Sequence, residues 1–482
     1  MSIVTFFRII CIILSIIGIS FVFPIGTALI CGEYSVIPSF VIPMAIALIL
    51  GAIALFTRNK KNSLSISPRG VFVIVSCAWI SISLFGAVPL VLSGCFSSFT
   101  NAFFESVSGF STTGATILSE VERLPRSINM WRCEMHWLGG MGVIALTVAL
   151  LPLLGIGGFQ LIKAETTGVD KGKITPKITT TAKTLWLLYF GLTALLALLL
   201  RIFGMDTIDA ITYGFSTLGT GGFATRNSSI AAYQSLSIDI IITIFMFLAG
   251  INFSLYFYVL TGKSSEVKKN TELKTYLILA FIAILCITIA LIPHYQSIGQ
   301  SLRYAAFQVA TIMTTTGYAT ADFTLWPSTA QFFIFLLFFT GGCAGSTAGG
   351  FKIVRWVILG KQAHNEMLRM LHPHGVFTVR LNGMPGRKDL VFTVAAFTFV
   401  YFMFVAITTL AGAVNGLDLF TAFTASLSMV GNVGPAFGAL GPSANYSWLP
   451  SGLKWWYCFA MIAGRLELYD LIIFFIPDYW KK

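Results

Sequence analysis

The chain has 482 residues, of which 56% are hydrophobic and only 10% are charged. A soluble protein carries about a quarter charged residues, so this composition excludes an ordinary soluble domain and indicates a polytopic membrane protein. The net charge of +12 does not indicate nucleic-acid binding, because most Lys and Arg residues lie on one side of the predicted apolar spans. This asymmetry follows the positive-inside rule and predicts that both termini lie in the cytoplasm.

The first apolar run covers residues 3–30 and contains Arg8, a pattern that is also typical of a signal peptide. No convincing small-residue cleavage site follows it. A second apolar run from Ile37 to Phe56 supplies another span. We therefore predict a retained N-terminal hairpin over residues 1–58, and a cleaved signal peptide is the alternative.

After this hairpin, one unit occurs four times: a long apolar segment, a short amphipathic segment, a turn rich in Thr or Gly, and a second apolar segment. The short segments cannot cross a hydrocarbon core of about 30 Å, so we interpret them as half-membrane pore helices. Glu105 makes the first a poor lipid-facing segment. Asp206, Asp209 and Asp418 lie at the starts of two others, where carboxylates favour the helix dipole. The predicted repeats cover residues 70–158, 182–262, 273–362 and 388–478.

Hydropathy places the three helical parts of each unit. The first segments are expected over 70–93, 182–203, 276–293 and 390–414, the short helices over 99–110, 207–217, 301–313 and 417–429, and the second segments over 131–154, 236–260, 330–361 and 453–476. Gly139, Gly140 and Gly142 in the first unit permit close helix packing. The predicted fold is an all-α integral membrane protein with four units around one pore and no soluble catalytic domain.

The turns carry the repeated motif: Ser111–Thr116 reads STTGAT, and three echoes surround Gly222, Gly317 and Gly434. One such turn could be explained by helix packing alone, because Gly and Thr are common in membrane helices. Four copies at matching positions favour a shared function. Backbone carbonyls replace the hydration shell of an ion where glycine permits the required conformation. No Asp or Glu lies within the turns, which favours a monovalent cation over calcium or magnesium.

The second apolar segment of the third unit, residues 330–361, exceeds the about 20 residues of one straight span. Its centre, Gly341 to Gly350, consists of ten small residues, five of them glycine. Such a stretch maintains a helix poorly, so we predict two helices joined by an irregular loop at membrane depth. Tight helix packing without a loop is one alternative. A nucleotide-binding loop is another, but the stretch lacks the GK[ST] ending.

Arg465 lies near the middle of the last apolar segment, where a cation costs at least about 2.5–3.5 kcal/mol and needs a partner or water. Glu467 is two residues away and therefore points to another part of the helix. A salt bridge to another helix is one explanation. We expect instead that Arg465 projects into the pore below the turns, where it and the 341–350 loop form one barrier to cations.

Cysteine and histidine positions argue against other functional classes. Eight cysteines are scattered without a CxxC pair, which disfavours a zinc site or a disulfide framework. One disulfide among Cys31, Cys95 and Cys133 is kept as an alternative, since these three are expected near the outer face. The five histidines do not cluster with carboxylates at membrane depth, as a membrane-embedded enzyme would require. His136 is expected at the membrane interface.

The four turns with their short helices, the N-terminal hairpin, the 341–350 loop and Arg465 together resemble the TrkH/KtrB superfamily of potassium-translocating membrane subunits, and most closely its TrkH branch. The resemblance covers nearly the whole chain and implies a potassium filter with one key glycine in each repeat. In related proteins, serine in place of the first of these glycines is associated with sodium permeation, and Gly114 is intact here. The implied filter residues are Thr112, Thr113, Gly114, Thr220, Gly221, Gly222, Thr315, Thr316, Gly317, Asn432, Val433 and Gly434. The fourth turn departs most from the Thr-rich pattern.

The resemblance also implies a gate, formed by Gly341, Gly342, Gly345, Ser346, Thr347, Gly349, Gly350 and Arg465. It implies a homodimer surrounded by lipid in the bacterial cytoplasmic (inner) membrane. A nucleotide-binding ring of TrkA-type subunits would dock on basic cytoplasmic loops, especially Lys352 to Lys388. The implied function is gated potassium uptake, with K⁺ as the permeant ion, no covalent cofactor and no enzymatic activity. The alternative is a symporter coupled to sodium or protons, for which Glu105, Glu134 and Glu467 are the candidate carboxylates.

Overall fold

The computed structural model describes residues 3–56, 68–140, 142, 178–385 and 390–481. Within these ranges the chain is almost wholly helical, and its only strands are the short antiparallel pair β1 (Arg380–Leu381) and β2 (Met384–Pro385). Six of the described helices are long and apolar enough to cross a membrane, and a bent helix pair raises the number to seven. The predicted fold class, an all-α multi-pass membrane protein, is confirmed.

The N-terminal hairpin consists of three helices: α1 (Ile3–Ser20), α2 (Val22–Cys31) and α3 (Ile37–Phe56). α1 packs along α3. The helix is interrupted at Phe21, between α1 and α2, and Pro24 in the first turn of α2 has no backbone N–H to donate to the preceding turn. Glu33 accepts hydrogen bonds from the backbone N–H of Ser127 at 3.0 Å and from its hydroxyl at 2.6 Å. The hairpin is therefore joined to the rest of the protein by polar contacts as well as by apolar packing.

The first long helix of each predicted repeat is present, and each is followed by a short helix. The long helices are α4 (Pro68–Leu92), α7 (Ile178–Ile202), α12 (Thr271–Tyr295) and α16 (Leu390–Val414), and the short helices are α5 (Phe99–Phe110), α8 (Thr207–Leu218), α13 (Ile298–Met313) and α17 (Leu419–Gly431). Each short helix packs against the long helix before it. Side chains of Ser98, Asp206, Ser297 and Asp418 cap the N-termini of the short helices by accepting a backbone N–H. The expected placement of Asp206 and Asp418 at helix starts is confirmed.

The second helices are less regular. They are α6 (Arg126–Gly140), α9 (Leu236–Ala249) with α10 (Phe253–Leu260), α14 (Ser328–Leu337) with α15 (Ile353–Leu371), and α18 (Ser451–Arg465); the short helices α11 (Ser264–Lys269), α19 (Tyr469–Ile472) and α20 (Pro477–Trp480) complete the set. Part of the expected segment over 131–154 and the expected end of the first repeat at residue 158 lie outside the described residues. The repeat boundaries stay predictions.

Two expected continuous helices are broken. The segment 236–260 bends by 94° between α9 and α10, where the side chain of Asn252 accepts the N–H of Ser254 at 2.8 Å and starts a new helix. The segment 453–476 ends its first helix at Arg465, because Glu467 and Leu468 have φ values of 55° and 61°, which no α-helix accommodates. The prediction of one unbroken helical segment was wrong in both places.

The packing order of the helices is circular. The second helix of one repeat packs on the short helix of the next: α6 on α8, α9 on α13, and α18 on α5. Between the third repeat and the fourth, Phe335 of α14 contacts Phe420 of α17, with ring centroids 5.8 Å apart. Gly140 makes the contact between α6 and α8 close, since a Cβ built there would approach Gly219, and Gly139 does the same for α6 and α5, where a Cβ would overlap the carbonyl of Phe110. The expected role of these glycines in close packing is confirmed. The fourth repeat thus returns to the first.

A buried ion pair supports the first repeat. Arg132 on α6 donates from Nε and Nη2 to Glu105 on α5 at 2.8 and 2.6 Å, and both side chains are buried. The same carboxylate accepts the hydroxyl of Thr116 at 2.8 Å and the N–H of Ile117 at 3.0 Å. Glu105 therefore connects the short helix, the second helix and the segment that follows the first turn. With every partner in place, the cost of burying the charge is offset by charge-assisted hydrogen bonds.

Replacement of Glu105 by alanine is expected to lower the free energy of unfolding by about 3–5 kcal/mol, because Arg132 would be left buried without its counter-charge. The matched control is Glu366→Ala, which removes an exposed pair with Arg369 and is expected to cost less than about 1 kcal/mol. Thermal or denaturant unfolding of the purified protein in detergent measures both. Equal effects of the two substitutions would contradict the assignment.

Candidate functional site

The four turns share one backbone conformation. In each, the key glycine and the residue two positions before it have positive φ. The earlier residues are Thr112, Thr220, Thr315 and Asn432, with φ between 53° and 57°, and the glycines are Gly114, Gly222, Gly317 and Gly434, with φ between 77° and 100°. The left-handed region is uncommon for β-branched threonine and better tolerated by asparagine. The fourth turn therefore differs in sequence from the others but not in backbone.

Each short helix ends in the same way. The N–H of the residue before the key glycine donates to the carbonyl five positions earlier, at 2.8–2.9 Å; the pairs are Thr113 with Ser108, Gly221 with Ser216, Thr316 with Thr311, and Val433 with Ser428. This is a helix C-terminus closed by a left-handed residue. The negative ends of the four helix dipoles are consequently directed toward the turns.

The turns form a closed ring. A Cβ built at any of the four key glycines would overlap a carbonyl oxygen of a neighbouring turn. The overlaps are Gly114 with Gly221, Gly222 with Thr316, Gly317 with Val433, and Gly434 with Thr113. The sequence of neighbours runs from the first turn to the fourth and back to the first. Glycine is required at these positions both by its φ and by the approach of the adjacent carbonyl.

The carbonyl oxygens of the ring accept no hydrogen bond from the described part of the chain. They belong to buried residues: Thr112, Thr113, Thr220, Gly221, Thr315, Thr316, Asn432 and Val433. A buried polar group without a partner costs about 1–3 kcal/mol, so eight such carbonyls in one ring are exceptional. Coordination of a cation by these oxygens would satisfy them, and the donor set is that of a site for a hard cation without a carboxylate.

The turns are supported by hydrogen bonds from different side chains. The Asn432 amide donates to the hydroxyl of Thr113 at 3.0 Å and to the carbonyl of Met461 at 2.9 Å. The Tyr446 hydroxyl donates to the carbonyl of Gly434 at 2.8 Å. The sequence motif did not identify these contacts, because the partners are far away along the chain.

The second turn is supported by α6. His136 Nδ1 lies 2.8 Å from the carbonyl oxygen of Gly109, and the N–H of Phe223 donates to His136 Nε2 at 3.2 Å. The thiol of Cys133 approaches the carbonyl of Phe223 at 3.4 Å. The expected interfacial position of His136 was wrong: its ring is buried beside the second turn. All eight cysteines are unpaired, so the disulfide considered among Cys31, Cys95 and Cys133 is absent.

The 341–350 loop is irregular, as predicted, and lies directly beside the turns. α14 ends at Leu337 and α15 begins at Ile353. The N–H of Gly349 donates to the hydroxyl of Thr315 at 2.7 Å, and the N–H of Cys343 donates to the carbonyl of Gly250 at 2.9 Å. The loop is therefore hydrogen-bonded to the bend between α9 and α10. Tight helix packing without a loop is excluded.

Arg465 connects three repeats. Its Nη1 donates to the carbonyl of Thr347 at 2.8 Å, and its Nη2 donates to the carbonyls of Gly139 at 2.6 Å and Gly140 at 3.1 Å. The loop of the third repeat, the last helix of the fourth and the second helix of the first are thus joined by one side chain. Glu467, beyond the helix end, pairs with Arg355 on α15.

Residues 36–482 match the model of the family TrkH, described as a cation transport protein. The chain belongs to the TrkH family. It is 35% identical to the Trk system potassium uptake protein TrkH of Halomonas elongata, covering 100% of both chains. It is 37% identical over 442 residues to TrkH of Escherichia coli K12, covering 91% of each chain. Its structure resembles the crystal structure of the potassium transporter TrkH from Vibrio parahaemolyticus, with a TM-score of 0.87, 32% identity and 100% coverage of both chains.

Membership of the TrkH family confirms the resemblance inferred from the turns and the loop, and it assigns the chain to transport and not to catalysis. Among the residues that the structure describes, no cluster of His, Cys, Asp or Glu is suited to hold a metal ion.

Two charged residues near the loop were missed by sequence reasoning. Lys352 was expected on a basic cytoplasmic surface, but it is buried and its amine donates to the carbonyl of Ala348. Glu272 on α12 accepts the N–H of Ala344 at 2.8 Å and that of Val354 at 3.0 Å through one carboxylate oxygen. Glu272 therefore connects the middle of the loop to the start of α15. In sequence it has the position of an ordinary acidic residue in the first turn of a helix.

A charged cluster lies at the N-terminal end of α8, around a cavity of about 320 Å³. Arg126 pairs with Asp206 and Asp209, and Arg226 approaches Asp209 at 3.8 Å. The hydrogen bond from Arg126 holds the pKa of the Asp206 carboxyl below its usual value. With Glu122, three carboxylates face two guanidinium groups in this cavity, so the local field favours cations.

Substitution of Gly222 by alanine is expected to lower the free energy of unfolding by at least about 1–2 kcal/mol, because an L-residue resists a φ of 84° and its Cβ would displace the Thr316 carbonyl. The control is Gly191→Ala in α7, where a Cβ meets no atom within 4 Å. That control is expected to leave stability unchanged or raise it by up to about 1 kcal/mol. Unfolding in detergent compares the two, and equal stability would contradict the ring geometry.

Proposed function

We propose that this chain is the pore-forming subunit of a gated potassium uptake system and that the ring of four turns is its selectivity filter. The observation that carries the proposal is the ring itself, whose eight buried carbonyl oxygens accept no hydrogen bond from the described part of the chain. The names of the relatives, Trk system potassium uptake proteins, support the same function.

The chemistry of the ring supports K⁺ as the permeant ion. Carbonyl dipoles replace the hydration shell of a weakly hydrated monovalent cation, whereas calcium and magnesium favour carboxylates. The four short helices direct their negative ends toward the same region and lower the energy of a cation there. Gly114 also supports selection of K⁺ over Na⁺, because a larger residue would displace the Gly221 carbonyl.

The loop and Arg465 form the proposed gate. Arg465 and Lys352 place two positive charges close to the loop, and a fixed positive charge on the path of a cation raises the energy of passage. The gate opens only if the hydrogen bond between Arg465 and the Thr347 carbonyl is broken or moved with the loop. Glu272, which accepts two N–H groups of the loop region, resists that movement from the other side.

Location and partners follow from the charge distribution and from the family. The excess of Lys and Arg on one side of the spans supports a bacterial cytoplasmic membrane protein with both termini in the cytoplasm. A Trk system has further subunits, and we propose a TrkA-type nucleotide-binding ring on the basic cytoplasmic face. We also propose a homodimer in the lipid bilayer, by analogy with the family.

Coupled symport is not favoured by the contacts of the candidate carboxylates. Glu105 is paired with Arg132, and Glu467 is paired with Arg355. Glu134, the third candidate, is buried beside the Ser20 hydroxyl and forms no salt bridge within the described residues. Two of the three carboxylates are therefore committed to structural ion pairs.

The function is tested in two assays. A potassium-uptake-deficient bacterium expressing this chain, with and without a TrkA-type partner, is expected to grow at low external K⁺. Purified protein in vesicles is expected to pass K⁺ or Rb⁺ down its gradient without a proton or sodium gradient. Absence of K⁺ flux from correctly folded protein in both assays would reject the proposal, and a strict requirement for a second ion would favour symport.

Arg465→Ala is expected to raise basal K⁺ or Rb⁺ flux severalfold in vesicles, because the substitution removes a positive charge and releases the Thr347 carbonyl. The matched control is Arg201→Ala at the end of α7, which is exposed and whose one hydrogen bond within the described residues is a long one to the carbonyl of Met205 at 3.4 Å. Its flux is expected to equal that of the wild type. Unchanged flux in folded Arg465→Ala protein would remove Arg465 from the gate.

A further inference from the structure

The second turn differs from the other three in the residue that precedes its key glycine. That residue is Thr113, Thr316 or Val433 in the other turns, all of them β-branched and stiff. In the second turn it is Gly221, so two consecutive glycines, Gly221 and Gly222, follow Thr220 in this quarter of the ring. Glycine has the greatest backbone freedom of any residue. The second turn therefore needs support from outside its own sequence to hold the same conformation.

His136 occupies the space that a side chain at position 221 would fill. A Cβ built at Gly221 would overlap the imidazole ring of His136. The ring is buried and lies against Phe223, with ring centroids 4.2 Å apart. Gly221 and His136 thus interlock: the glycine admits the ring, and the ring limits the movement of the glycine.

The hydrogen bonds of His136 define its tautomer. The Gly109 carbonyl only accepts, so Nδ1 carries the proton, and the Phe223 N–H only donates, so Nε2 presents its lone pair. Both bonds exist together only for a neutral ring. Arg132 on the same helix, which is paired with Glu105, and Arg465 on α18 both disfavour a positive charge on the ring.

These bonds connect two repeats. Gly109 lies near the end of the first short helix, and Phe223 directly follows the key glycine of the second turn. Cys133, one helical turn before His136, contacts the Phe223 carbonyl, and the Arg132 guanidinium lies over the Phe223 ring at 4.2 Å. One face of α6 therefore holds both polar groups of the Phe223 backbone.

We propose that His136 is a positioning residue for ion selectivity: its bonds to Gly109 and Phe223 hold the Thr220 and Gly221 carbonyls in register with the other three turns. The proposal rests on the filter function proposed above. A ring with one loose quarter accommodates ions of different radius more equally, because its carbonyls move to meet a smaller ion. Loss of these two hydrogen bonds of His136 consequently changes the ratio of Na⁺ to K⁺ permeation and not merely the amount of active protein.

The test compares His136→Gln with His136→Leu in vesicles under bi-ionic K⁺/Na⁺ conditions. Glutamine offers an NH2 donor and a carbonyl acceptor, so His136→Gln is expected to keep the permeability ratio within about twofold of the wild type. Leucine offers neither, and His136→Leu is expected to lower the K⁺/Na⁺ ratio about tenfold, which corresponds to about 1.4 kcal/mol. The matched controls His294→Gln and His294→Leu change an exposed residue at the end of α12 and are expected to leave the ratio unchanged.

An unchanged ratio in folded His136→Leu protein, or the same change in the Gln and Leu variants, would overturn the proposal. Equal loss of K⁺ and Na⁺ flux would also overturn it, because that result describes a structural residue only. If His136→Leu does not fold, His136→Met replaces it as a flexible side chain without a donor. Failure of the wild type to carry K⁺ would instead reject the filter function itself, so the two failures are distinguishable.

Discussion

The structure depends on burying a ring of backbone carbonyls that receive no hydrogen bond from the residues that the structure describes. Such a ring is unfavourable by itself, and other features of the fold serve to hold it. Each key glycine adopts positive φ and lies against a carbonyl of the neighbouring turn. Three threonines occupy the left-handed region that β-branched residues disfavour. Strain of this kind persists only where neighbouring structure over-determines the backbone, so the contacts around the turns must hold it.

Those contacts differ in every repeat, although the backbone they support is the same. The first turn is held through Glu105 and the Asn432 amide, and the second through His136. The third is held through the N–H of Gly349 in the loop, and the fourth through the Tyr446 hydroxyl. A single chain with four internal repeats permits this division, because each repeat evolves its own supporting residues. In a filter made of four identical subunits, the same supporting contact would occur four times. The asymmetry gives each quarter of the ring its own sensitivity to substitution.

The sequence predicted the elements whose cause is local. The short helices, the key glycines and the interruption between α14 and α15 follow from hydropathy, glycine content and length, and the structure contains them close to the expected residues. The predictions failed where tertiary contacts decide. The bend between α9 and α10 accompanies the hydrogen bond from the Cys343 N–H of the loop to the Gly250 carbonyl, and the break after Arg465 accompanies the pairing of Glu467 with Arg355. Likewise His136 carries no motif, since its partners, Gly109 and Phe223, lie on two other segments.

The loop is fixed at both sides by charged groups of opposite sign, and this arrangement limits how it can move. Arg465 binds the Thr347 carbonyl, while Glu272 accepts the N–H groups of Ala344 and Val354. Glu272 follows Thr271, whose N–H donates to the Asn382 side chain at 2.8 Å in the hairpin between β1 and β2. A displacement of that hairpin must therefore break the bond to Thr271 or shift the start of α12. In the second case Glu272 moves with it, and the loop loses two hydrogen bonds unless it follows.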